Sequence, residues 1–291
     1  MKKFKILIPV YNDWESLIKL LDEINKEIQN IEKAEFHCVV INDASTVKPP
    51  KIEIPINIRT LQIINMKENR GHARCNAFGI RHLSKDSNFD HLIVMDGDGE
   101  DRPEEIKILV EKVFSSENVS VVAKRIKRSE GFLFQMLYQI HKIITLIFTG
   151  KNINFGNYSC LTKNDVKILS KKESLWSSFS GSVKKHIPKL NTVNSVRGLR
   201  YFGPSQMSLL NLGLHSLSII AVFKLSVFAR TIIFGTVIYI FRNQIGSLLF
   251  TTAMVFLIVF SCLIYLVSFR EDIKDFLNSG DNVDSTKNYT H

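Results

Sequence analysis

His91-Leu92-Ile93-Val94-Met95-Asp96-Gly97-Asp98 is the stretch on which the fold turns. Four apolar residues run directly into a pair of carboxylates separated by one glycine. A short unbroken apolar run closed by turn residues is the pattern of a strand buried on both faces. The pattern recurs on either side, in FKILIPV (4–10), FHCVVI (36–41), LQII (61–64) and VSVVA (119–123). Helical spacing fills the gaps. Leu17, Leu20, Leu21, Ile24, Ile28 and Ile31 share one face of a helix over 14–32, and 72–83 reads as helix after the Asn69-Arg70-Gly71 turn. Pro103, followed by Glu104 and Glu105, opens a helix running to about Phe114, a start that the fixed proline φ and the helix dipole both favour. Strands alternating with helices predict an α/β fold with a doubly wound, mostly parallel sheet.

Ligands of such sheets bind beyond the carboxyl ends of the strands. Three polar clusters, Tyr11–Asp13, Asn42–Ser45 and Asp96–Asp98, each follow a strand directly and should converge on one crevice. There Asp96 and Asp98 supply the hard oxygen ligands that suit Mg²⁺ or Mn²⁺. Such a cation bridges diphosphate oxygens and neutralises the charge that develops as a nucleotide leaves. A lone Asp-x-Asp triplet is commonly an acidic turn. The preceding strand and the two companion clusters set this one apart, and Glu100 and Asp101 extend the acidic group.

Charge and cysteine usage narrow the setting. The formal net charge is +10, and residues 1–217 carry 32 of the 38 basic and 23 of the 28 acidic side chains. A basic body suits anionic partners such as diphosphates or an anionic membrane surface. No helix-turn-helix, zinc-finger or RNA-binding aromatic motif is present, so nucleic acid is not expected as a partner. Cys38, Cys75, Cys160 and Cys262 are scattered, with no CxxC pair, and fit a reducing cytosol. The apolar run behind Met1-Lys2-Lys3 is short and holds Pro9, so it reads as a strand and not as a signal peptide.

The second half has another character. Residues 132–148 are strongly apolar with a polar stripe of Gln135, Gln139, Lys142 and Thr145; they read as a core helix or as a helix lying in a membrane interface. Residues 206–223 repeat this character, with Gln206, Asn211 and His215. Residues 246–269 hold no charge over 24 positions, enough at about 1.5 Å per residue to cross a hydrocarbon core of about 30 Å. Leu225–Phe241 is shorter and contains Arg230, placed where it can snorkel to headgroups. With only Arg242-Asn243-Gln244 between them, the two runs predict a two-helix transmembrane hairpin. The basic body favours the cytosolic side. The chain thus divides into a 1–205 catalytic domain, a juxtamembrane helix over 206–224, the hairpin over 225–269 and a polar tail over 270–291 expected to be disordered.

Six segments taken together resemble one family. PVYND (9–13), INDAS (41–45), NRGHARCNAFG (69–79), MDGDGEDRPEE (95–105), VVAKRIKR (121–128) and RGLRYFGPSQM (197–207) follow the order and spacing of family 2 glycosyltransferases. The resemblance runs from residue 4 to about 268. It is strongest to the branch of dolichyl-phosphate mannose synthase and the bacterial polyprenyl-phosphate glycosyltransferases. It implies the GT-A fold and, as in many bacterial members, a C-terminal membrane hairpin. It implies that Pro9, Tyr11, Asp13 and Asp43 frame the nucleotide base and ribose, with Asn69 and Gly71 in the turn beside it. Asp96 and Asp98 would hold diphosphate and metal, with Glu100 as a third metal ligand where many relatives have Gln. Arg125 and Arg128 would hold phosphate groups. Arg200 and Ser205, in the late Arg-x-x-Gly-x-Ser pattern, would close over the diphosphate or the acceptor phosphate. Asn42 and Ala44 depart from the usual Asp and Gly, Gln206 from the usual Lys, and Phe155–Ser159 from the usual acceptor-region pattern. These departures bear on the acceptor more than on the donor.

The implied activity is a membrane-bound, inverting, metal-dependent transfer of a sugar from a nucleoside diphosphate to a polyprenyl phosphate, for cell-surface glycans. The partners implied are that donor, that acceptor and membrane lipid, with a homo-oligomer left open. The implied location is the cell membrane, multi-pass, with the catalytic domain cytosolic. Two other readings stand beside it. In one, the acceptor is a sugar hydroxyl of a lipid-linked glycan, with Asp101 or Glu100 as general base. In the other, the chain is a silent membrane scaffold, which nucleotide-sugar turnover by purified protein would exclude.

Overall fold

The computed structural model describes residues 1–116, 119–127, 132–203 and 208–291. Eight strands form one sheet: β1 (Lys2–Val10), β2 (Ala34–Asn42), β3 (Ile58–Met66), β4 (His91–Val94), β5 (Val121–Lys127), β6 (Phe155–Thr162), β7 (Asn191–Val196) and β8 (Val283–Thr290). Their order is β7-β5-β6-β4-β1-β2-β3-β8. The β1–β2, β1–β4, β2–β3 and β5–β7 pairings are parallel, whereas β4–β6, β5–β6 and β3–β8 are antiparallel. The expected α/β sheet is present, and its five apolar strands are the ones legible from hydropathy.

Register explains why the polar clusters meet. Central β1 pairs Leu7 with Val94 of β4 on one side and Val10 with Asn42 of β2 on the other. The residues after each strand, 11–13, 43–45 and 96–98, therefore emerge side by side at one edge of the sheet.

Helices cover both faces. α1 (Trp14–Ile28) buries Leu17, Leu20, Leu21, Ile24 and Ile28 on one face, each worth about 1.5–3 kcal/mol. α3 (Ile106–Ser115), entered through a 3₁₀ turn at Pro103–Glu105, joins the same core. The other face packs α2 (His72–Leu83), α5 (Lys163–Leu169), α6 (Ser174–Ser177) and α7 (Phe179–His186).

The apolar helices are α4 (Phe132–Thr149), α8 (Leu209–Ala221), α9 (Lys224–Ile240) and α11 (Ser247–Ser268), with short α10 (Arg242–Ile245) between the last two. Phe148, Ile220, Val227, Phe260 and Ile264 form a separate core among them. Their outer faces expose Ile143, Leu146, Ile232, Leu248 and Ile258. Among the described residues one helix, in the stretch Ser247–Leu277, is long and apolar enough to cross a membrane. α9, the expected first arm, is one helix but too short to meet that test alone, and it does so only together with α8, across an 86° bend. Arg230 also differs from expectation: it donates to the Ile147 carbonyl at 3.1 Å in the last turn of α4, where cationic donors satisfy free carbonyls.

The expectation of a disordered tail over 270–291 is overturned. α12 (Ile273–Leu277) seats Phe276, fully buried, against Trp176 with ring centres 5.9 Å apart. β8 then pairs with β3 from Val283–Met66 to Thr290–Thr60. The segment is polar because backbone hydrogen bonds, not apolar burial, hold it, and it covers an edge that would otherwise present unpaired groups.

Candidate active site

The acidic loop is built on β1. The Met95 amide donates to the Leu7 carbonyl at 3.2 Å, extending β4 to the brink of the crevice. A Cβ on Gly97 would lie 2.8 Å from the Pro9 carbonyl oxygen, so only glycine lets the loop cross β1 this closely. Asp101 Oδ2 accepts from the Asp96 amide at 3.0 Å, and Asp98 Oδ1 from the Glu100 amide at 3.1 Å. Gly99 adopts φ +86°, a value open mainly to glycine, and its Cα faces the ring of Tyr201.

Each carboxylate meets a cationic or amide donor. Asp96 Oδ1 takes His72 Nε2 at 2.9 Å and Asn157 Nδ2 at 3.1 Å. Arg200 bridges Asp98 at 2.8 Å and Asp13 at 2.6 Å. Arg197 pairs with Glu100, and Arg125 stands 4.0 Å from Asp101. Asp13 occupies the N-cap position of α1 yet makes no capping hydrogen bond. Its carboxylate goes to Arg200 instead, so a long-range ion pair takes the place of the local cap.

These contacts split the acids. Burial raises Asp96, but the charge and hydrogen bond of His72, with Arg197 and Arg125 behind, outweigh it and hold Asp96 well below the usual range. Burial and the Asp96 charge hold Asp98 above its ordinary value against the Glu100 amide and Arg200. The same two causes push Asp101 up to about 7. Burial also raises Glu100 despite Arg197. Crowding by the crevice walls lowers His72, yet Asp96, then Asp98 and Asp101, more than offset this and hold it above its usual value. Its ring remains 45% accessible, as in an open crevice. The cluster thus holds more carboxylate than its cations neutralise.

The sequence-predicted residues divide accordingly. Asp13, Asp96, Asp98, Glu100, Asp101, Arg125 and Arg200 converge. Glu100 turns to Arg197, and among the described residues no group of three or more His, Cys, Asp or Glu is arranged to hold a metal; the Asp96–Asp98 pair is what remains for one. Asp43 is buried and accepts from the Arg70 and Gly71 amides at 2.9 and 2.8 Å, fixing the turn that holds Asn69 and Gly71. Tyr11 and Asn69 are exposed, while Pro9 is buried within β1. Arg128 and Ser205 lie outside the described residues.

Residues 5–179 match the model of the family described as glycosyl transferase family 2, more than half of the chain. The chain belongs to this family. Among curated members, it is 28% identical over 164 residues to an undecaprenyl-phosphate 4-deoxy-4-formamido-L-arabinose transferase of Proteus mirabilis, covering 56% of this chain and 48% of that one. The corresponding Salmonella choleraesuis protein is 30% identical over 169 residues, with 56% and 48% covered. The chain therefore spans about half the length of the curated relatives it matches. Solved structures show the fold. Glucosyl-3-phosphoglycerate synthase from Mycobacterium tuberculosis, in complex with Mn²⁺, UDP-glucose and phosphoglyceric acid, aligns with TM-score 0.52 at 13% identity over 78% of this chain and 80% of that one. A mannosyltransferase from Pyrobaculum calidifontis, in complex with GDP-mannose and Mn²⁺, aligns with TM-score 0.51 at 13% identity over 91% and 86%. The GT-A expectation is borne out.

Three residues of the candidate site carry no role in the sequence reading: His72, Asn157 and Arg197. His72 and Arg197 lie inside family-like segments, His72 directly after Gly71 and Arg197 three positions before Arg200. Asn157 lies in the segment that departs from the family pattern. Only its 3.1 Å contact with Asp96, across 61 positions, reveals its place.

Proposed function

We propose that the chain is a membrane-anchored, inverting glycosyltransferase that moves a sugar from a nucleoside diphosphate to a polyprenyl phosphate. The observation that carries this reading is the Asp96–Asp98 pair at the end of β4, faced by Arg125, Arg197 and Arg200 beside a set of apolar helices. The surplus of buried carboxylate, which holds Asp98 and Asp101 above their ordinary values, fits a divalent cation at Asp96 and Asp98. When bound, Mg²⁺ or Mn²⁺ supplies charge neutralisation for the departing diphosphate.

The chain's own groups do the rest. His72 keeps Asp96 ionised. Arg200 spends one donor of Nη1 on Asp98 and one of Nη2 on Asp13, so its guanidinium has donors left for phosphate oxygens. Arg125 and Arg128 belong to the same phosphate-binding set. An acceptor phosphate oxygen attacks the anomeric carbon opposite the diphosphate, the bond to the diphosphate oxygen breaks, and the anomeric centre inverts. That oxygen carries no proton near neutral pH, so the step needs no general base.

The acceptor class draws on the relatives, which are named as undecaprenyl-phosphate transferases. The membrane disposition draws on the apolar helices and on Lys224, at the start of α9, paired at 2.8 Å with Glu271 just beyond α11. That pair ties both ends of the α9–α11 unit together at the body, as a multi-pass anchor with a cytosolic catalytic domain requires. The 1–205, 206–224 and 225–269 division is proposed on the same grounds.

A second acceptor, a sugar hydroxyl, would need a general base, and Asp101, whose Oδ2 accepts from the Asp96 amide at 3.0 Å, is the carboxylate placed beside the pair for that role. One experiment separates the readings. Detergent-purified protein is offered a panel of nucleotide sugars with polyprenyl phosphate or a lipid-linked glycan, and the lipid products are weighed by mass spectrometry. A polyprenyl-phosphate sugar supports the proposal, an elongated glycan replaces it with the second reading, and no turnover points to a scaffold.

A further inference from the structure

We propose that Asn282 is a positioning residue for the donor site: its side chain clamps the Lys67–Gly71 loop on which the nucleotide side of the crevice hangs. This rests on reading the crevice as a nucleotide-sugar site.

The loop joins β3 to α2 and touches the crevice at two points. The Arg70 and Gly71 amides hold the two oxygens of Asp43, and His72, the next residue, holds Asp96. A shift of the loop therefore moves a residue on the base and ribose side and one on the diphosphate side together. The loop has little of its own to fix it. Lys67, Glu68 and Asn69 are exposed, Gly71 stands at φ 90°, and the N-terminus of α2 has no side-chain cap.

The C-terminal segment supplies what the loop lacks. Asn282 Oδ1 accepts from the Glu68 amide at 3.1 Å, and Asn282 Nδ2 donates to the Glu68 carbonyl at 3.0 Å. The Asn282 carbonyl accepts from the Lys67 amide at 2.7 Å, and Lys67 Nζ reaches the Asp281 carbonyl at 2.8 Å. Asn282 is 5% exposed, and its carboxamide serves a single residue's backbone. A carboxamide has the donor and acceptor of a peptide unit, so it can extend a strand ladder by one side chain. The placement fits that use: the β3–β8 pairing becomes irregular between Asn65 and Met66, and Asn282 takes over directly beyond. The clamp is itself anchored, by buried Phe276 against Trp176 and by Asp275 at 4.0 Å from Arg70. Since this segment follows α11 directly, the apolar helix and the donor loop are joined through it.

The test compares Asn282→Ala and Asn282→Asp with Asn288→Ala. Asn288 lies on β8, which follows Asn282 directly, and its side chain bonds the Gln62 side chain, so its loss probes the sheet edge without the clamp. Hydrogen exchange of the 67–71 amides is read on ligand-free protein. UDP and GDP affinities are read by calorimetry with Mn²⁺, together with KM for donor and acceptor. Asn282→Ala should speed exchange at Glu68 and weaken the bound nucleotide about tenfold, as expected for a lost buried hydrogen-bond pair. Donor KM should rise with it, and kcat and acceptor KM should change little. Asn282→Asp keeps the acceptor for the Glu68 amide and should fall between, and it carries the test if the alanine variant folds poorly. Asn288→Ala should match wild type. Wild-type nucleotide affinity in both Asn282 variants would overturn the proposal alone, as would equal losses in Asn288→Ala. Failure of the wild type to bind either nucleotide would overturn the donor-site reading and the proposal with it.

Discussion

Arg200 and Asp98 are joined at 2.8 Å through Nη1, while Nη2 of the same guanidinium reaches Asp13 at 2.6 Å. The arginine thus lies over the carboxylate that a cation would need, and it ties the acidic loop to the start of α1. On the proposed function, a divalent cation would have to displace Arg200 from Asp98 in the ligand-free protein.

Removing that competitor should separate two properties. Arg200→Ala should bind Mn²⁺ several-fold more tightly in the absence of donor, by electron paramagnetic resonance titration, while turnover falls by about 10²-fold. Arg200→Lys should also be impaired, because an ammonium cannot reproduce the planar fork. If Arg200 serves the acceptor phosphate, acceptor KM rises more than donor KM. The opposite pattern places it on the donor, and unchanged constants would leave it a surface charge.

Asp98→Asn should abolish most turnover, by about 10²–10³-fold, without lowering the melting temperature. The carboxylate is raised by burial and by Asp96, so a neutral amide relieves repulsion in the folded state. Excess chelator should silence the wild type to the same degree. Full activity in either case refutes a metal role for this residue.

What the sequence makes legible follows from where the energy of each element comes from. β1, β2 and β4 are stabilised by apolar burial on both faces, and apolar runs announce them. α2 was readable to the residue, His72–Leu83, because the Asn69-Arg70-Gly71 turn marks its start. β7, with the sequence NTVNSV, and β8, with VDSTKNYT, are held by their neighbours' backbones and carry no hydropathy signal. The site divides the same way. Asp96 and Asp98 stand at a strand end and can be found locally. The Arg197–Glu100 pair spans 97 positions, and no local pattern joins its members.

Anchor topology has a direct chemical readout. In a background with Cys262 replaced by Ser, single cysteines at Asn243 and at Lys287 should be labelled from opposite sides of the membrane. Asn243 lies in α10, far from the Lys224–Glu271 pair, whereas Lys287 is in β8 on the catalytic sheet. Labelling of both positions from one side would refute a membrane-crossing α9–α11 unit.

The last expectation concerns acid stability away from the crevice. His186 Nε2 lies 3.1 Å from Ser174 Oγ, which lies 2.9 Å from Ser182 Oγ, and both serines are buried. Burial first, then the charges of Lys185 and Lys172, push His186 down to about 4. An unfolded histidine titrates near 6.5. Between these values the unfolded chain binds a proton that the folded protein refuses, so stability rises with pH across that window. The contribution is level above about 6.5 and is lost as pH falls toward about 4. Its slope is at most about 1.4 kcal/mol per pH unit, reduced here by solvent because the ring is only partly buried. His186→Gln retains a polar side chain that cannot take up the proton. Urea unfolding at pH 7.5 and 4.5 should therefore show a smaller acid loss in the variant than in the wild type, by about 1–2 kcal/mol. Carboxylate contributions are common to both proteins and cancel in the difference. Equal losses would show that the folded protein accepts the proton as readily as the unfolded chain, and that the Ser174–Ser182 pair does not keep this imidazole neutral.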